Sequence, residues 1–376
     1  MSYYFDSAST TPVNNDVYEA MKPWLTSEWG NPSSKYSIGR KAHRAINNAR
    51  EIIAATIGAE PDEVFFTSCG SEANTWGIGG VQCIRAGKLL VSPIEHHSVL
   101  NIANSHGIVS DYLDIDSQGI VDTNSLIAKI TPTTPLIAVM MVNNEIGTIQ
   151  PISEIAKICE TKGIYFHVDA VQALGHMPIK VGDTGITTLS ISGHKIGAPK
   201  GIGALYIRKD VQRYYSPLIC GGQQEFGMRG GTENVPYIVG FAKACELANQ
   251  HMDDNWSVRK LAAYIWDFIS ANIPNVKLNG PKINSSNHTP NIINITIQGV
   301  YGEELEEMLD EQNFFISTGS ACNSDSEEPS HVLKAIGLSD EDANSSIRIS
   351  LSNSTTLKEV NEFCEKLAYD INILRG

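Results

Sequence analysis

The sequence predicts an α/β fold, in which a large domain built on a mostly parallel sheet with helices on both faces is followed by a smaller α+β domain. Three observations lead there. Short apolar strand patterns alternate with helical patterns from residue 64 to 207, as strand-helix-strand crossovers require. Polar residues capable of chemistry recur where those strand patterns end, the edge at which open α/β sheets bind ligands. Beyond Asp253-Asp254-Asn255 the alternation stops, and isolated strands and helices take over to the end of the chain.

Taken in order, residues 1–14 are small and polar after Tyr3-Tyr4-Phe5 and read as an arm that packs with the small domain. Val17, Ala20, Met21 and Trp24 repeat at helical spacing, predicting a helix over 16–24. After Gly30-Asn31-Pro32 a second helix is predicted over 39–57, with Ala42, Ala45, Ile46, Ala49, Ile52 and Ile53 as its buried stripe and Gly58 as its stop. Val64-Phe65-Phe66-Thr67 is a buried-type strand, and a helix starts near Glu72 behind Ser68-Cys69-Gly70-Ser71. A tight turn into a helix start presents free N–H groups and a positive dipole end, a cradle for phosphate.

The next strand, 89–92, delivers Glu95-His96-His97, and the apolar run 136–142, predicted as a strand covered on both faces, delivers Asn143-Asn144-Glu145. Ser153 is expected to cap a helix running to Thr161, and the strand 164–168 leads to Asp169-Ala170-Val171-Gln172. Strand 187–192 alternates, with Leu189 and Ile191 on one face and Ser190 and Ser192 on the other, and ends in Gly193-His194-Lys195. The glycine-rich stretch 220–232 reads as a loop, and a helix is predicted over 235–251. From about 256 onward the expected elements are a helix near Trp256, a strand over 291–297, an acidic helix over 303–312 and a strand over 346–351. Thr356 and Glu359 are spaced as a capping box opening a last helix. The domain division is therefore 1–14, 15–255 and 256–376.

Composition bounds the function. The 376 residues are 42% hydrophobic, enough for a substantial core. Lys and Arg total 28 against 42 Asp and Glu, and the formal charge of -14 repels a phosphate backbone, so direct nucleic-acid binding is not expected. No apolar run near 18 residues predicts a membrane span, and no signal-peptide pattern opens the chain; a cytoplasmic protein is expected. Seven cysteines without Cys-x-x-Cys spacing argue against a disulfide framework or a four-cysteine metal site.

The strand-end residues match what pyridoxal phosphate asks of a protein: an amine, phosphate donors, a carboxylate for the ring nitrogen and a group on the ring face. Lys195 offers the amine and Asp169 the carboxylate. Gly70 and Ser71 at the helix start, with Ser192 and His194, offer phosphate donors. His96 can stack on the ring, and Gln172 can donate to the ring hydroxyl oxygen. Each residue alone is unremarkable; their convergence is the signal.

The motifs Glu95-His96-His97, Val142-Asn143-Asn144-Glu145-Ile146-Gly147, His167-Val168-Asp169-Ala170-Val171-Gln172, Ile191-Ser192-Gly193-His194-Lys195, Gly230-Gly231-Thr232-Glu233-Asn234 and Gly319-Ser320-Ala321-Cys322 occur in this order. On these motifs the chain, from Phe5 to about Glu359, resembles the cysteine desulfurases. The resemblance implies the type I fold of pyridoxal-phosphate transferases and conversion of L-cysteine to L-alanine, with the sulfur held on an enzyme cysteine as a persulfide. That cysteine would be Cys322, whose neighbours over 318–330 are small and polar, the composition of a mobile exposed loop. Lys195 and His96 would move protons. Arg348 matches the position that grips the substrate carboxylate, and Asn144 one near the ring hydroxyl and substrate. A homodimer is implied, Thr232 of one subunit reaching the cofactor phosphate of the other. So is a sulfur-accepting partner, an iron-sulfur scaffold or a component of thio-cofactor or tRNA thiolation.

The chain departs from the family pattern in having Cys69 for a usual glycine, Phe226 for a usual arginine after Glu225, and an end at Gly376 without the longer tail that scaffold-dependent relatives carry. These departures bear on the acceptor. Three other readings stand beside this one: a selenocysteine or cystine lyase of the same fold, a non-catalytic scaffold, and a metal hydrolase using His96, His167 and Asp169. The last lacks a His-Glu-x-x-His or comparable ligand set.

Overall fold

A computed structural model describes residues 2–81, 87–105, 107–182, 184–252, 255–318 and 328–376. Cys322 and the rest of 319–327 lie outside the described residues.

The chain opens with β1 (Tyr3–Tyr4), α1 (Asn15–Thr26) and α2 (Ser37–Ile57), followed by β2 (Val64–Thr67) and α3 (Gly70–Gly79). Next come β3 (Lys88–Val91), α4 (His97–Ala103), β4 (Val109–Tyr112), α5 (Thr123–Lys129), β5 (Leu136–Ala138), α6 (Ile152–Lys162) and β6 (Tyr165–Asp169). β7 (Thr188–Ser192), β8 (Gly203–Ile207) and α7 (Val235–Gln250) complete this part of the fold. α8 (Asn255–Asn272), β9 (Val276–Leu278), β10 (Ile292–Ile297), α9 (Gly302–Asp310), β11 (Phe314–Phe315) and β12 (Ser317–Thr318) follow. The last elements are α10 (His331–Ala335), α11 (Asp340–Asn344), β13 (Ser346–Ser350) and α12 (Leu357–Arg375).

Seven strands form one sheet in the order β2-β8-β7-β6-β5-β3-β4. β4, β3, β5, β6 and β7 pair in parallel, and β8 lies antiparallel to both β7 and β2. The exits of β2, β3, β5, β6 and β7 therefore fall on one edge, and that edge carries the site. One apolar core, including Ile46, Ile53, Phe166, Ile191 and Phe241, covers one face. A second, around Phe65, Trp76, Leu89 and Leu205, covers the other. Each such side chain contributes roughly 1.5–3 kcal/mol through burial. The four-stranded sheet β12-β13-β10-β9 has its own core with α8, α9 and α12, around Ile295, Ile349 and Phe363.

The amino-terminal segment bridges these bodies. β1 pairs in parallel with β11, Asp6 bridges to Ser350, and Phe5 is buried in the core of the four-stranded sheet. A few residues later Thr11 N–H donates to the carbonyl of His194 at 2.9 Å.

The alternating strand is present as β7, and both its apolar and its serine face are buried, because β7 is central and helices cover both faces. Several sequence expectations need correction. Ser153 is not a cap: α6 begins at Ile152 behind Pro151, with no side-chain cap. Of the apolar run 136–142 only 136–138 joins a ladder as β5, although Val139 and Met141 continue donating to the carbonyls of His167 and Asp169. The edge strand β4 was not predicted; its residues are intermediate or exposed, so no apolar pattern announces it.

Arg50, on the otherwise apolar face of α2, is buried through a fork–fork pair with Glu225, both N···O distances being 2.7 Å. Glu225 also accepts from Phe66 N–H at 2.9 Å, and the guanidinium lies between the rings of Phe66 and Phe226. Losing one partner of such a pair strands a buried charge and costs about 3–5 kcal/mol. The pair holds Glu225 and Phe226 in left-handed backbone, φ 47° and 58°, a conformation that side chains other than glycine resist. Among the described residues no helix is long and apolar enough to cross a membrane.

Candidate active site

The strand exits enclose a cavity of about 330 Å³. Gly70 and Ser71 line it from the start of α3, His96 from the exit of β3, Asn144 from beyond β5, Asp169 and Gln172 from the exit of β6, and Ser192, His194 and Lys195 from that of β7. Arg348 of β13 and Ala8 and Ser9 of the amino-terminal segment close the remaining side. The structure thus brings together every residue that the sequence assigned to cofactor or substrate except Thr232 and Cys322. Thr232 is exposed and lines a separate cleft with Ser68, Glu225 and Arg229. Cys322 lies outside the described residues.

Lys195 reaches its place because Gly193 allows a tight turn after β7. A Cβ there would lie 2.9 Å from Ala198 Cβ, 3.0 Å from Ile202 Cγ2 and 3.1 Å from Phe241 Cδ2, so a larger residue would push the turn away. Its ammonium donates to the carbonyls of Ala8 at 2.5 Å and Ser9 at 2.6 Å. Asp169, buried at the end of β6, accepts from Val171 N–H at 2.9 Å and from Asn74 Nδ2 at 2.7 Å. Gln172 Nε2 donates to Ala8 O at 2.7 Å. Arg348 is buried and already engaged: Nη1 donates to Asn144 O at 2.9 Å, and Nη2 to Asp6 Oδ1 at 2.7 Å and Ser9 Oγ at 2.6 Å. An arm over 1–14 is expected from the sequence, but these particular partners are not, since Asp6 and Arg348 are 342 positions apart.

At the other end of the cavity, the first N–H groups of α3 have no carbonyl of their own helix to bind. Cys69 caps this helix through Sγ, which accepts from Glu72 N–H at 3.4 Å. Ser192 Oγ is buried without a protein partner in the same wall. A buried hydroxyl without a partner costs about 1–3 kcal/mol, and an anion held at the helix start would satisfy it.

Burial pushes His96 below the ordinary histidine range, with Lys195, His97 and His331 adding to the effect and Asp169 opposing it. His194 is pushed down to about 4, by burial first and then by Lys195, Lys200 and His96. Both imidazoles are therefore neutral near pH 7. Glu145, beside Asn144, is pushed up to about 7 by burial, against the opposing effects of Ser330, Arg348 and His97. Below the unfolded carboxyl range Glu145 is protonated in both states. As pH rises toward 7 only the unfolded form loses its proton, so this group withdraws stability between about pH 4.5 and 7, by about 3 kcal/mol in all. Buried His167, His176 and His288, pushed down to about 3, 4 and 4, act in the opposite sense. Glu145→Gln is therefore expected to gain stability relative to the parent on passing from pH 5 to pH 7, read by urea denaturation at each pH. An unchanged difference between the two proteins would refute this.

Among the described residues no group of three or more His, Cys, Asp or Glu is arranged to hold a metal ion. The donor set fits pyridoxal phosphate: an unpartnered hydroxyl beside a helix start for the phosphate, a fixed carboxylate for the ring nitrogen, an imidazole on the wall and a lysine within the same cavity. Fold and site together define a type I pyridoxal-phosphate enzyme. The family model for class-V aminotransferases matches residues 3–363. "Cysteine desulfurase IscS" of Dictyoglomus turgidum is 45% identical over 379 residues, covering 99% of this chain and 95% of that protein. The solved structure titled "NIFS-LIKE PROTEIN" superposes with a TM-score of 0.91 at 32% identity, covering 99% of this chain and 100% of the other. "SspA in complex with cysteine" does so at 0.82 and 39%, covering 95% and 100%. The chain belongs to the class-V aminotransferase family and, within it, to the cysteine desulfurases.

Proposed function

We propose that this chain converts L-cysteine to L-alanine and leaves the sulfur on Cys322. The observation that carries the reading is the convergence of Lys195, Asp169 and the unpartnered Ser192 hydroxyl on one cavity, in a chain 45% identical to a cysteine desulfurase. Bound pyridoxal phosphate supplies an aldehyde and an electron-withdrawing ring that weakens the bonds around the substrate carbons.

The protein's own residues do the rest. Lys195 holds the aldehyde and, once freed, carries the substrate α-proton; reaching the cofactor means leaving the carbonyls of Ala8 and Ser9. Asp169 keeps the ring nitrogen protonated. The start of α3, Ser192 and His194 take the phosphate, His96 packs on the ring face, and Gln172 and Asn144 serve the ring hydroxyl side. Arg348 binds the substrate carboxylate by its guanidinium fork, which requires it to share or release Asp6. The Cys322 thiol and cysteine then become the Cys322 persulfide and alanine. The carbon-sulfur bond breaks, a sulfur-sulfur bond forms, and the carbon that loses sulfur gains a proton.

We further read the protein as a homodimer. The exposure of Thr232, in a cleft other than this chain's own cavity, suits a residue that serves a neighbouring subunit. A sulfur-accepting protein then collects the persulfide, in the cytoplasm on the sequence-based expectation. The test is to supply purified protein with pyridoxal phosphate and record its spectrum. A visible band abolished by borohydride, with the label mapped to Lys195, and equal yields of alanine and enzyme-derived sulfide from cysteine in the presence of a reductant are expected. A colourless protein holding no pyridoxal species would overturn the reading.

A further inference from the structure

Asn74 lies in the first half of α3 and is 1% exposed, a costly place for an amide unless every polar atom is used. Its orientation follows from its partners. The Asp169 carboxylate, 2.7 Å away, can only accept, so the nitrogen of the amide must face it. The second Nδ2 hydrogen then goes to Ser98 Oγ at 2.9 Å, and Oδ1 accepts from His167 Nε2 at 3.1 Å.

Those three bonds fix protons further out. His167 carries its proton on Nε2, so its Nδ1 accepts from Thr188 Oγ1 at 2.9 Å. Ser98 Oγ, already an acceptor, gives its own hydrogen to His96 Nδ1 at 2.8 Å, and that nitrogen also accepts from Ser98 N–H at 3.1 Å. His96 is left with its proton on Nε2. The packing is built for this chain of bonds: Gly77, one turn beyond Asn74, has no side chain, and a Cβ there would come within 2.6 Å of the His167 ring.

We propose that Asn74 is the positioning residue that couples two walls of the cavity, orienting the Asp169 carboxylate and, by holding the Ser98 hydroxyl toward His96 Nδ1, reinforcing the Nε2–H tautomer that Ser98 N–H also favours. The inference rests on the proposed function for its meaning, because the two groups it sets are those assigned to the ring nitrogen and the ring face. In consequence His96 acts through Nε2–H, and its Nδ1 takes no part in proton transfer with the substrate.

The test uses the full chain labelled with ¹⁵N-histidine, before and after addition of pyridoxal phosphate. Long-range proton-nitrogen spectra of the parent are expected to show His96 and His167 as Nε2–H tautomers in both states. Ser98→Ala removes the hydroxyl donor but keeps the backbone N–H on Nδ1, so it should shift the His96 Nδ1 resonance, keep the Nε2–H tautomer and leave His167 unchanged. Asn74→Leu, close in volume, should change both and weaken pyridoxal phosphate binding roughly tenfold or more, the scale of one hydrogen bond to a charged group. If Asn74→Leu does not fold, Ser98→Ala alone decides, because an unchanged His96 Nδ1 resonance in that variant overturns the proposal. So does a parent protein with His96 protonated on Nδ1. A parent that shows the expected tautomers but binds no cofactor would refute the proposed function and leave the network standing.

Discussion

Lys195→Ala is expected to lower alanine formation from cysteine by on the order of 10³-fold or more, because on the proposed function it removes both the covalent hold on the cofactor and the carrier of the substrate proton. The structure adds a second expectation. In the parent the Lys195 ammonium donates to the carbonyls of Ala8 and Ser9, so the variant also loses a tie between the β7 exit and the amino-terminal segment. Added methylamine should restore part of the chemistry and none of the tie. Turnover and denaturation measured on the same preparation separate the two effects, and turnover within tenfold of the parent would remove Lys195 from the mechanism.

Cys322→Ala is expected to produce a comparable loss with an opposite spectral result. On the proposed function the residues that would hold cofactor and substrate carboxylate line the described cavity, so the variant should bind pyridoxal phosphate and cysteine as the parent does. Without the thiol the carbon-sulfur bond has no acceptor for its sulfur, and alanine formation should fall by on the order of 10³-fold or more. Undiminished turnover would reject the assignment and turn attention to Cys69, the described cysteine that lines the cavity.

Much of the site was legible because it is local in sequence. Asp169 and Lys195 each follow a strand within a few residues, and a strand pattern announces where its own end will be. Gly70 and Ser71 were readable for the same reason. What escaped the sequence depends on contacts between distant segments. Arg50 looks like a charged residue on a solvated helix, and only Glu225, 175 positions away, makes its burial tolerable. Asn74 carries no pattern at all, since a single polar residue in a helix is ordinary until His167 and Asp169 stand against it. The role of residues 1–14 was half visible: Phe5 and Asp6 pack with β11 and β13 as an arm would, but the carbonyls of Ala8 and Ser9 inside the cavity have no side-chain signature.

That segment ties the earliest part of the chain to the latest, through Ala8 N–H on Ser350 Oγ and Arg348 on Asp6. On a ribosome, residues 5–9 emerge early and wait while more than three hundred others are made before β13 arrives to receive them. Closing so long a loop contributes nothing until it is complete, so these contacts belong to the late stages of folding. Nascent chains can thus hold a folded sheet while the wall formed by the arm and Arg348 is still missing, so the cavity is completed only once β13 has been made.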